Sequence, residues 1–297
     1  MSETVHVLLP VHNRGELTRR FVRCLRAQSY RRIRLMVIDD GSSDATEAIV
    51  GAEYPGATIV RGTGRWWWAG CLQEGFNALG REGPPEADIV LIANDDTSFE
   101  PDYVARAVEF LRANDKTLLG SQHRDPATGS IVESGIEADL RRFAFRVAAS
   151  PSRINCLSTR GLFLRWGDMQ AIGGFHRYLL PHYWSDYEYT SRAFRRGFAC
   201  RTDRSVVLDA RLDTTGDRDL DTLVGWTFVR RVFSVRSPLN PLYRTSFVLL
   251  ASPGIWKLVN LFNVWGRALF RLAWQGIARR RFPRGRMTLA ATPSGRE

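Results

Sequence analysis

Two adjacent carboxylates, Asp95 and Asp96, follow Asn94 at the end of the apolar run Ile89-Val90-Leu91-Ile92. Carboxylates placed in this way can hold a divalent cation, and such a cation is the usual neutraliser of a diphosphate. The same residues also suit a capped turn, because Asn and Asp are common where a chain reverses. A second acidic cluster, Asp39-Asp40-Gly41-Ser42-Ser43-Asp44, ends another apolar run. A carboxylate there can accept hydrogen bonds from ribose hydroxyls or a base N–H, with Gly41 permitting a close backbone approach. A loop that merely caps the next helix is the plainer alternative. A third group, Ser185-Asp186-Tyr187-Glu188, opens a helical stretch. Asp186 and Glu188 lie two apart and cannot share a helical face. One of them can therefore face a site while the other caps or packs. A carboxylate beside a hydroxyl can take its proton as a general base, although acidic residues also favour helix N-termini for electrostatic reasons alone.

The elements that must position these groups are legible from periodicity. Short apolar runs predict strands over residues 5–11, 34–38, 58–60 and 87–92. Between them, helical spacing appears over 16–28 (Leu17, Phe21, Val22, Leu25), 45–50 and 69–79. Strands alternating with helices predict a mainly parallel sheet with right-handed crossovers. Ligands of such sheets sit beyond the carboxyl ends of the strands, so Asp39-Asp40 and Asn94-Asp95-Asp96 are expected on one rim. Further strands are expected near 118–119, 130–132 and 162–164, and helices over 168–172 and 186–196.

The formal net charge of +11 over 297 residues is unevenly spread. Residues 222–297 carry 13 Lys or Arg against one acidic residue, which leaves the remainder close to neutral. The strand alternation also stops there, and Pro238, Pro241 and Pro253-Gly254 divide the region into helices. The reading is thus a catalytic-type domain over 1–218 and a basic helical region over 219–297. Over 254–280, Leu258, Leu261, Phe262, Trp265, Leu269 and Leu272 form one helical face, with Arg267 and Arg271 on another. Such a helix suits an anionic membrane surface or packing against the domain. No uninterrupted apolar run of spanning length occurs. No recognised nucleic-acid motif accompanies the charge, so a nucleic-acid partner is not expected. Cys24, Cys71, Cys156 and Cys200 are scattered and sit in apolar settings, which reads as reduced thiols. The polar start running straight into a strand gives no sign of a signal peptide. The expected location is cytoplasmic, on the inner face of the cell membrane.

Taken together, the motifs resemble those of the family 2 glycosyltransferases. Leu9-Pro10-Val11-His12-Asn13-Arg14 is similar to their opening strand, Val37-Ile38-Asp39-Asp40-Gly41-Ser42-Ser43-Asp44 to their nucleotide-binding turn, and Asn94-Asp95-Asp96 to their DxD-type motif. Arg160-Gly161-Leu162-Phe163, Ile172-Gly173-Gly174-Phe175, Ser185-Asp186-Tyr187-Glu188 and Arg196-Gly197-Phe198 follow the order of their acceptor half. Gly62-Thr63-Gly64-Arg65-Trp66-Trp67-Trp68-Ala69-Gly70 resembles a donor-side loop of bacterial cell-surface glycosyltransferases.

The resemblance implies an α/β GT-A fold, a Rossmann-like, mainly parallel mixed sheet flanked by helices, with the basic helical tail appended. It implies a nucleotide-diphosphate sugar as donor, a divalent metal (Mg²⁺ or Mn²⁺), inversion at the anomeric carbon, and a glycan or glycolipid acceptor. It places Pro10, His12, Arg14, Asp39, Asp40, Gly64, Arg65, Asn94 and Asp95 near the nucleotide. Asp96 becomes the leading metal ligand with Asp95 beside it, and Asp186 the base. Trp68, His182, Trp184 and Glu188 are candidate acceptor contacts. Two departures stand out. Ser185 replaces the acidic residue that usually precedes the base, and no His occurs around Arg211, Asp213, Thr214, Thr215 and Gly216, where many relatives have one near the metal. Those departures keep open a catalytically inactive scaffold that binds sugar nucleotide or membrane.

Overall fold

The computed structural model describes residues 3–210, 223 and 225–281, with side chains as far as 274. Four parallel strands, β1 (Val5–Val11), β2 (Ile33–Asp39), β3 (Thr58–Arg61) and β4 (Ile89–Ile92), form one half of the main sheet. The helices α1 (Gly15–Arg26), α2 (Thr46–Glu53) and α3 (Trp67–Glu82) connect them. The other half is mixed. It contains β5 (Thr97–Phe99), β6 (Thr117–Arg124), β7 (Ile131–Glu133), β10 (Leu162–Arg165) and β11 (Ala199–Ala210). The order across the sheet is β3-β2-β1-β4-β10-β6-β11-β5, with β7 paired to β6. β10 runs antiparallel to both neighbours, and β11 runs parallel to β6. A separate hairpin joins β8 (Ile136–Asp139) to β9 (Ala144–Val147). The remaining helices are α4 (Tyr103–Arg112), α5 (Trp166–Ile172), α6 (Ser185–Arg195), α7 (Gly225–Val232), α8 (Pro241–Ala251) and α9 (Trp256–Arg281).

Burial on both faces explains why the central strands read as unbroken apolar runs. Val5, Val7, Leu9 and Val11 of β1 pack with Phe21, Val22 and Leu25 of α1 and with Val104 and Val108 of α4. Leu8 points the other way, into a second core with Leu72 and Leu79 of α3 and Trp166 and Met169 of α5. The parallel half matches the sequence reading. β5, α4, the β8–β9 hairpin and β11 were not anticipated.

The basic region folds onto the sheet domain on one side. Phe247 of α8 is fully buried among Leu180, Phe143, Phe145, Trp184 and Tyr187. Asn240 caps α8 by accepting from the Leu242 N–H at 3.0 Å, and Pro241 follows at the position where a missing N–H costs nothing. Asn260 of α9 donates to the Leu140 carbonyl at 3.1 Å. Among the described residues no helix is long and apolar enough to cross a membrane.

Gly161 locks β10 to its neighbours and so places Arg160 at the sheet edge. Its backbone has φ +77°. A Cβ there would meet Leu208 Cδ2 at 2.4 Å, Ser121 Oγ at 2.7 Å and Tyr103 Oη at 2.8 Å. Gly129 has a similar φ of +69° but open space around it. Gly161→Ala should therefore cost about 2–5 kcal/mol, combining backbone strain with overpacking. Gly129→Ala should cost only the strain, about 1–2 kcal/mol. Urea denaturation of the two variants checks this, and equal losses would refute the packing argument.

Candidate functional site

The carboxyl ends of β1, β2, β3 and β4 converge on one rim, and side-chain hydrogen bonds tie their loops together. His12 donates through Nδ1 to the Asp40 carbonyl at 2.8 Å, which leaves Nε2 to accept from Asn13 Nδ2 at 3.2 Å. Asn13 Oδ1 accepts from the Ser43 N–H at 2.7 Å. The Asp40 carboxylate receives three backbone N–H groups, from Gly64 at 2.8 Å, Trp66 at 2.9 Å and Trp67 at 3.0 Å. Asp40 thus holds the glycine–tryptophan loop against the rim. Asp39 is buried and its Oδ1 accepts from the Ser42 N–H at 2.8 Å, which shapes the turn. Of this pair, Asp40 lines the cleft and Asp39 does not.

The cleft has a volume of about 820 Å³. Pro10, His12, Arg14, Asp40, Gly64, Asn94, Asp95 and Asp96 are among the residues that line it. Arg14 reaches across to the acidic turn, with Nη1 3.1 Å from Asp95 Oδ1 and Nη2 3.2 Å from Asp96 Oδ2. Asp95 Oδ2 accepts from the Thr18 hydroxyl at 3.1 Å, so both its oxygens are engaged. Burial pushes Asp95 up to about 6, with Arg14 pulling down and the charge of Asp96 pushing up. Asp96 differs. Its Oδ1 is buried without a hydrogen-bond partner, as is Asn94 Oδ1. Orphaned buried oxygens call for an explanation such as a bound ion. Two hard oxygen donors in a polar cleft fit Mg²⁺ or Mn²⁺. Among the described residues no three of His, Cys, Asp and Glu gather into a metal site. Asp96 and Asn94 would therefore share the ion with ligand oxygens and water. Both Asp95 oxygens already have protein partners, Arg14 and Thr18, whereas one Asp96 oxygen has none. Asp213 and its neighbours lie outside the described residues.

The turn into α6 supplies further lining. Trp184 adopts a left-handed conformation, φ 71°, and Ser185 Oγ donates to the His182 carbonyl at 2.7 Å. Asp186 faces the cleft and accepts the Tyr187 N–H at 2.9 Å. Burial raises its pKa to about 7, and the nearby Glu133 charge adds to the rise. Glu188 does not reach the cleft. It is buried and ion-paired to Arg192, with Nε 3.0 Å from Oε1, while Arg192 also donates to the Ile172 and Gly174 carbonyls. The two-residue offset from Asp186 turns it inward, so Glu188 fastens α6 and is no acceptor contact. Arg65 is exposed and is not among the residues lining the cleft.

The three tryptophans take three different roles. Trp66 packs on the core, Trp67 lines the cleft, and Trp68 lines it while donating to Thr159 Oγ1 at 3.2 Å. Trp184 lines the cleft and donates to the Pro238 carbonyl at 3.0 Å. His182 also lines it, with a buried Nδ1 that has no partner. Burial, aided by Arg236, lowers His182 to about 4, so the ring is neutral near pH 7.

Several lining residues escaped the sequence reading. Glu133 faces His123, with Oε2 3.5 Å from Nδ1, and His123 Nε2 donates to the Arg160 carbonyl at 3.0 Å. Burial pushes Glu133 up, yet His123, Ser158 and Arg160 together hold it below the usual value. Arg160 Nη2 lies 3.8 Å from Asp96 Oδ2. From the basic region, Arg231, Arg236 and Pro238 complete the lining. Only Arg160 carried a sequence signal, in the Arg160-Gly161 motif.

Comparison with known proteins agrees with this fold. A mannosyltransferase, PcManGT from Pyrobaculum calidifontis, solved in complex with GDP-Man and Mn²⁺, is 20% identical over 95% of this chain and 82% of its own, with a TM-score of 0.57. S. aureus TarS, solved over 1–349, is 14% identical over 88% of this chain and 72% of that one, with a TM-score of 0.53. A second TarS structure gives 13% identity and a TM-score of 0.59 over 93% of this chain and 55% of that one. At such identities the likeness establishes the fold, a GT-A α/β architecture. A search of curated proteins by sequence finds no match. The sequence pattern of glycosyl transferase family 2 matches residues 6–163, more than half of the chain, and the protein belongs to that family.

Proposed function

We propose that this chain is an inverting glycosyltransferase that moves a sugar from a nucleotide-diphosphate sugar to a hydroxyl of a glycan or glycolipid, in the building of a cell-surface glycan. One observation carries the reading. A single cleft is lined by Asn94 and Asp96, each with a buried side-chain oxygen that has no hydrogen-bond partner, and by Asp186. Asp40 and His12 fix the loops that border the donor side, and Arg14 and Arg160 place positive charge beside Asp96. A divalent ion held by Asp96 and Asn94 would stabilise the negative charge that develops on the diphosphate. Asp186 takes the proton of the acceptor hydroxyl, and the freed oxygen bonds to the anomeric carbon. The bond from that carbon to the diphosphate oxygen breaks, and its electron pair leaves with the nucleotide. One displacement inverts the carbon and needs one base.

The basic region supports a peripheral position on an anionic membrane, facing the cytoplasm. Residues 223–281 contain ten Lys or Arg and no Asp or Glu. On α9, Phe262 is 85% exposed, and Leu258, Leu269, Phe270 and Trp274 are exposed with it. Aromatic and aliphatic side chains among arginines suit the headgroup boundary of a bilayer.

A thermal-shift panel of nucleotide sugars with and without Mn²⁺ tests the donor assignment. A matching donor at about 100 times its Kd should stabilise the fold by about 2.7 kcal/mol. Asp96→Ala should remove the Mn²⁺-dependent part. A panel in which no nucleotide sugar shifts the transition would overturn the reading.

Asp186 acts when deprotonated, so kcat/KM should fall as pH drops through about 7, the value to which burial raises this group. Glu133→Gln removes a neighbouring negative charge and should move that limb to lower pH. Asp186→Asn should reduce kcat by about 10²–10⁴ while the donor thermal shift persists. Unchanged turnover in Asp186→Asn would remove it as the base.

Sedimentation with vesicles containing phosphatidylserine reads the membrane assignment. Phe262→Asp together with Phe270→Asp should release the protein into the supernatant, and continued sedimentation would count against this surface.

A further inference from the structure

Arg244 of α8 is a half-buried guanidinium lodged on aromatic rings. It lies over Phe143 at 5.0 Å and over Trp184 at 5.6 Å, and the faces of those rings hold its charge in place. Its Nε is buried and has no hydrogen-bond partner. Burial pushes the group down to about 10, and the charges of Arg267 and Arg271 push the same way. Both of those come from α9. The register of α9 on α8 is set by Trp265, whose Nε1 donates at 3.1 Å to the hydroxyl of Thr245, the residue after Arg244. Asn260 and Val264 share a helical stripe with Arg267 and Arg271. Both are buried, and Asn260 donates at 3.1 Å to Ser252 Oγ at the end of α8. The stripe therefore runs along the side of α9 that meets α8, and the exposed Phe262 and Leu269 lie on the opposite side.

Three guanidinium groups gathered at one junction repel each other. Residues 223–281 contain no Asp or Glu to offset them. Among the described residues no carboxylate pairs with any of the three, and none of the three lines the cleft. Such a cluster is complementary to a small anion with several oxygens, because guanidinium forks match phosphate oxygens through charge-assisted hydrogen bonds. The stripe is turned away from the exposed apolar side of α9, which favours an anion dissolved in water over a headgroup in a bilayer. We propose that Arg244, Arg267 and Arg271 form a phosphate-binding site at the junction of α8 and α9, outside the cleft, for a soluble phosphate or phosphomonoester. Its occupant neutralises the cluster and steadies Arg244 on Trp184, two residues before Asp186 in the turn that enters α6.

Calorimetric titration of the full chain with inorganic phosphate, in the absence of divalent metal, tests the site. The double variant Arg267→Gln with Arg271→Gln should bind phosphate about tenfold or more weakly than the unaltered protein, as expected for the loss of a charge-assisted hydrogen bond. Both replaced side chains are exposed. In phosphate-free buffer the variant should unfold at a urea concentration no lower than the unaltered protein, because repulsion is relieved, and this shows that it folds. Backbone hydrogen exchange over residues 182–188 should slow when phosphate is added to the unaltered protein, and should not change in the variant. Undiminished phosphate binding by the variant would place the anion elsewhere and overturn the site. Equal stabilisation by chloride at matched ionic strength would reduce the effect to screening and overturn it too. Binding that is lost in the variant for phosphatidylglycerol vesicles, with no binding of inorganic phosphate to either protein, would assign the arginines to a membrane and overturn the soluble ligand. Phosphate binding without slower exchange over 182–188 would overturn the link to the turn. None of these readouts uses turnover or donor binding, so the site stands or falls separately from the glycosyltransferase reading.

Discussion

The site depends on how one guanidinium divides two carboxylates. Asp95 and Asp96 are adjacent, largely buried and alike in charge, an arrangement that opposes ionisation of both. Arg14 bridges them, touching one oxygen of each. Arg14 occupies the N-cap position of α1, where a helix dipole disfavours positive charge. The two carboxylates offset that penalty, and Thr18 from the first turn of α1 completes Asp95. The outcome is asymmetric. Both oxygens of Asp95 have partners on α1 or at its N-cap, and Asp96 keeps one buried oxygen without a partner. Neighbours in sequence thus acquire different chemistry because a third residue, from a distant strand end, satisfies only one of them completely.

The parallel half of the sheet was legible because its strands are buried on both faces and therefore uninterrupted by polar residues. β11 was hidden for the opposite reason. Its stretch Arg201-Thr202-Asp203-Arg204-Ser205 is polar and largely solvent-facing, and the register shifts between Thr202 and Val207 where the strand bulges. β5 is three residues long and the β8–β9 strands are four each, too short for alternation to rise above chance. α4 does carry a signal, since its apolar residues Val104, Ala107, Val108 and Leu111 follow helical spacing.

At the site, residue type was easier to read than direction. The acidic clusters, the aromatic loop and Asp186 were all recognisable by composition and order. Which of Asp39 and Asp40 faces the cleft depends on the strand pleat and on three N–H groups arriving from the next loop, contacts that no local pattern encodes. Glu188 was misread for a related reason. Its partner Arg192 is a common i,i+4 pair, but the carbonyls of Ile172 and Gly174 that draw Arg192 inward come from α5 and the loop after it. Strands near 118–119 and 130–132 were expected, but the antiparallel pairing of β6 with β7 that sets Glu133 opposite His123 is not encoded by either segment alone. Tertiary register decides these cases, and a single sequence carries little information about register.

The basic region is part of the same machinery. Trp184 holds a left-handed backbone immediately before α6, a conformation that costs a bulky residue about 1–2 kcal/mol. It persists because surrounding contacts over-determine it. Trp184 stacks in a cluster with Phe143, Phe145 and Phe247, donates to the Pro238 carbonyl, and lies beneath the Arg244 guanidinium at 5.6 Å. Phe247, Pro238 and Arg244 all come from beyond residue 222. The turn that aims Asp186 is therefore held from outside the segment that matches the family pattern. A region that faces outward with exposed aromatics and arginines faces inward as a clamp on the turn that carries Asp186. Removing it would take away contacts that hold Trp184 in its left-handed conformation and withdraw Arg231, Arg236 and Pro238 from the cleft, so the sheet domain alone would leave the lining incomplete.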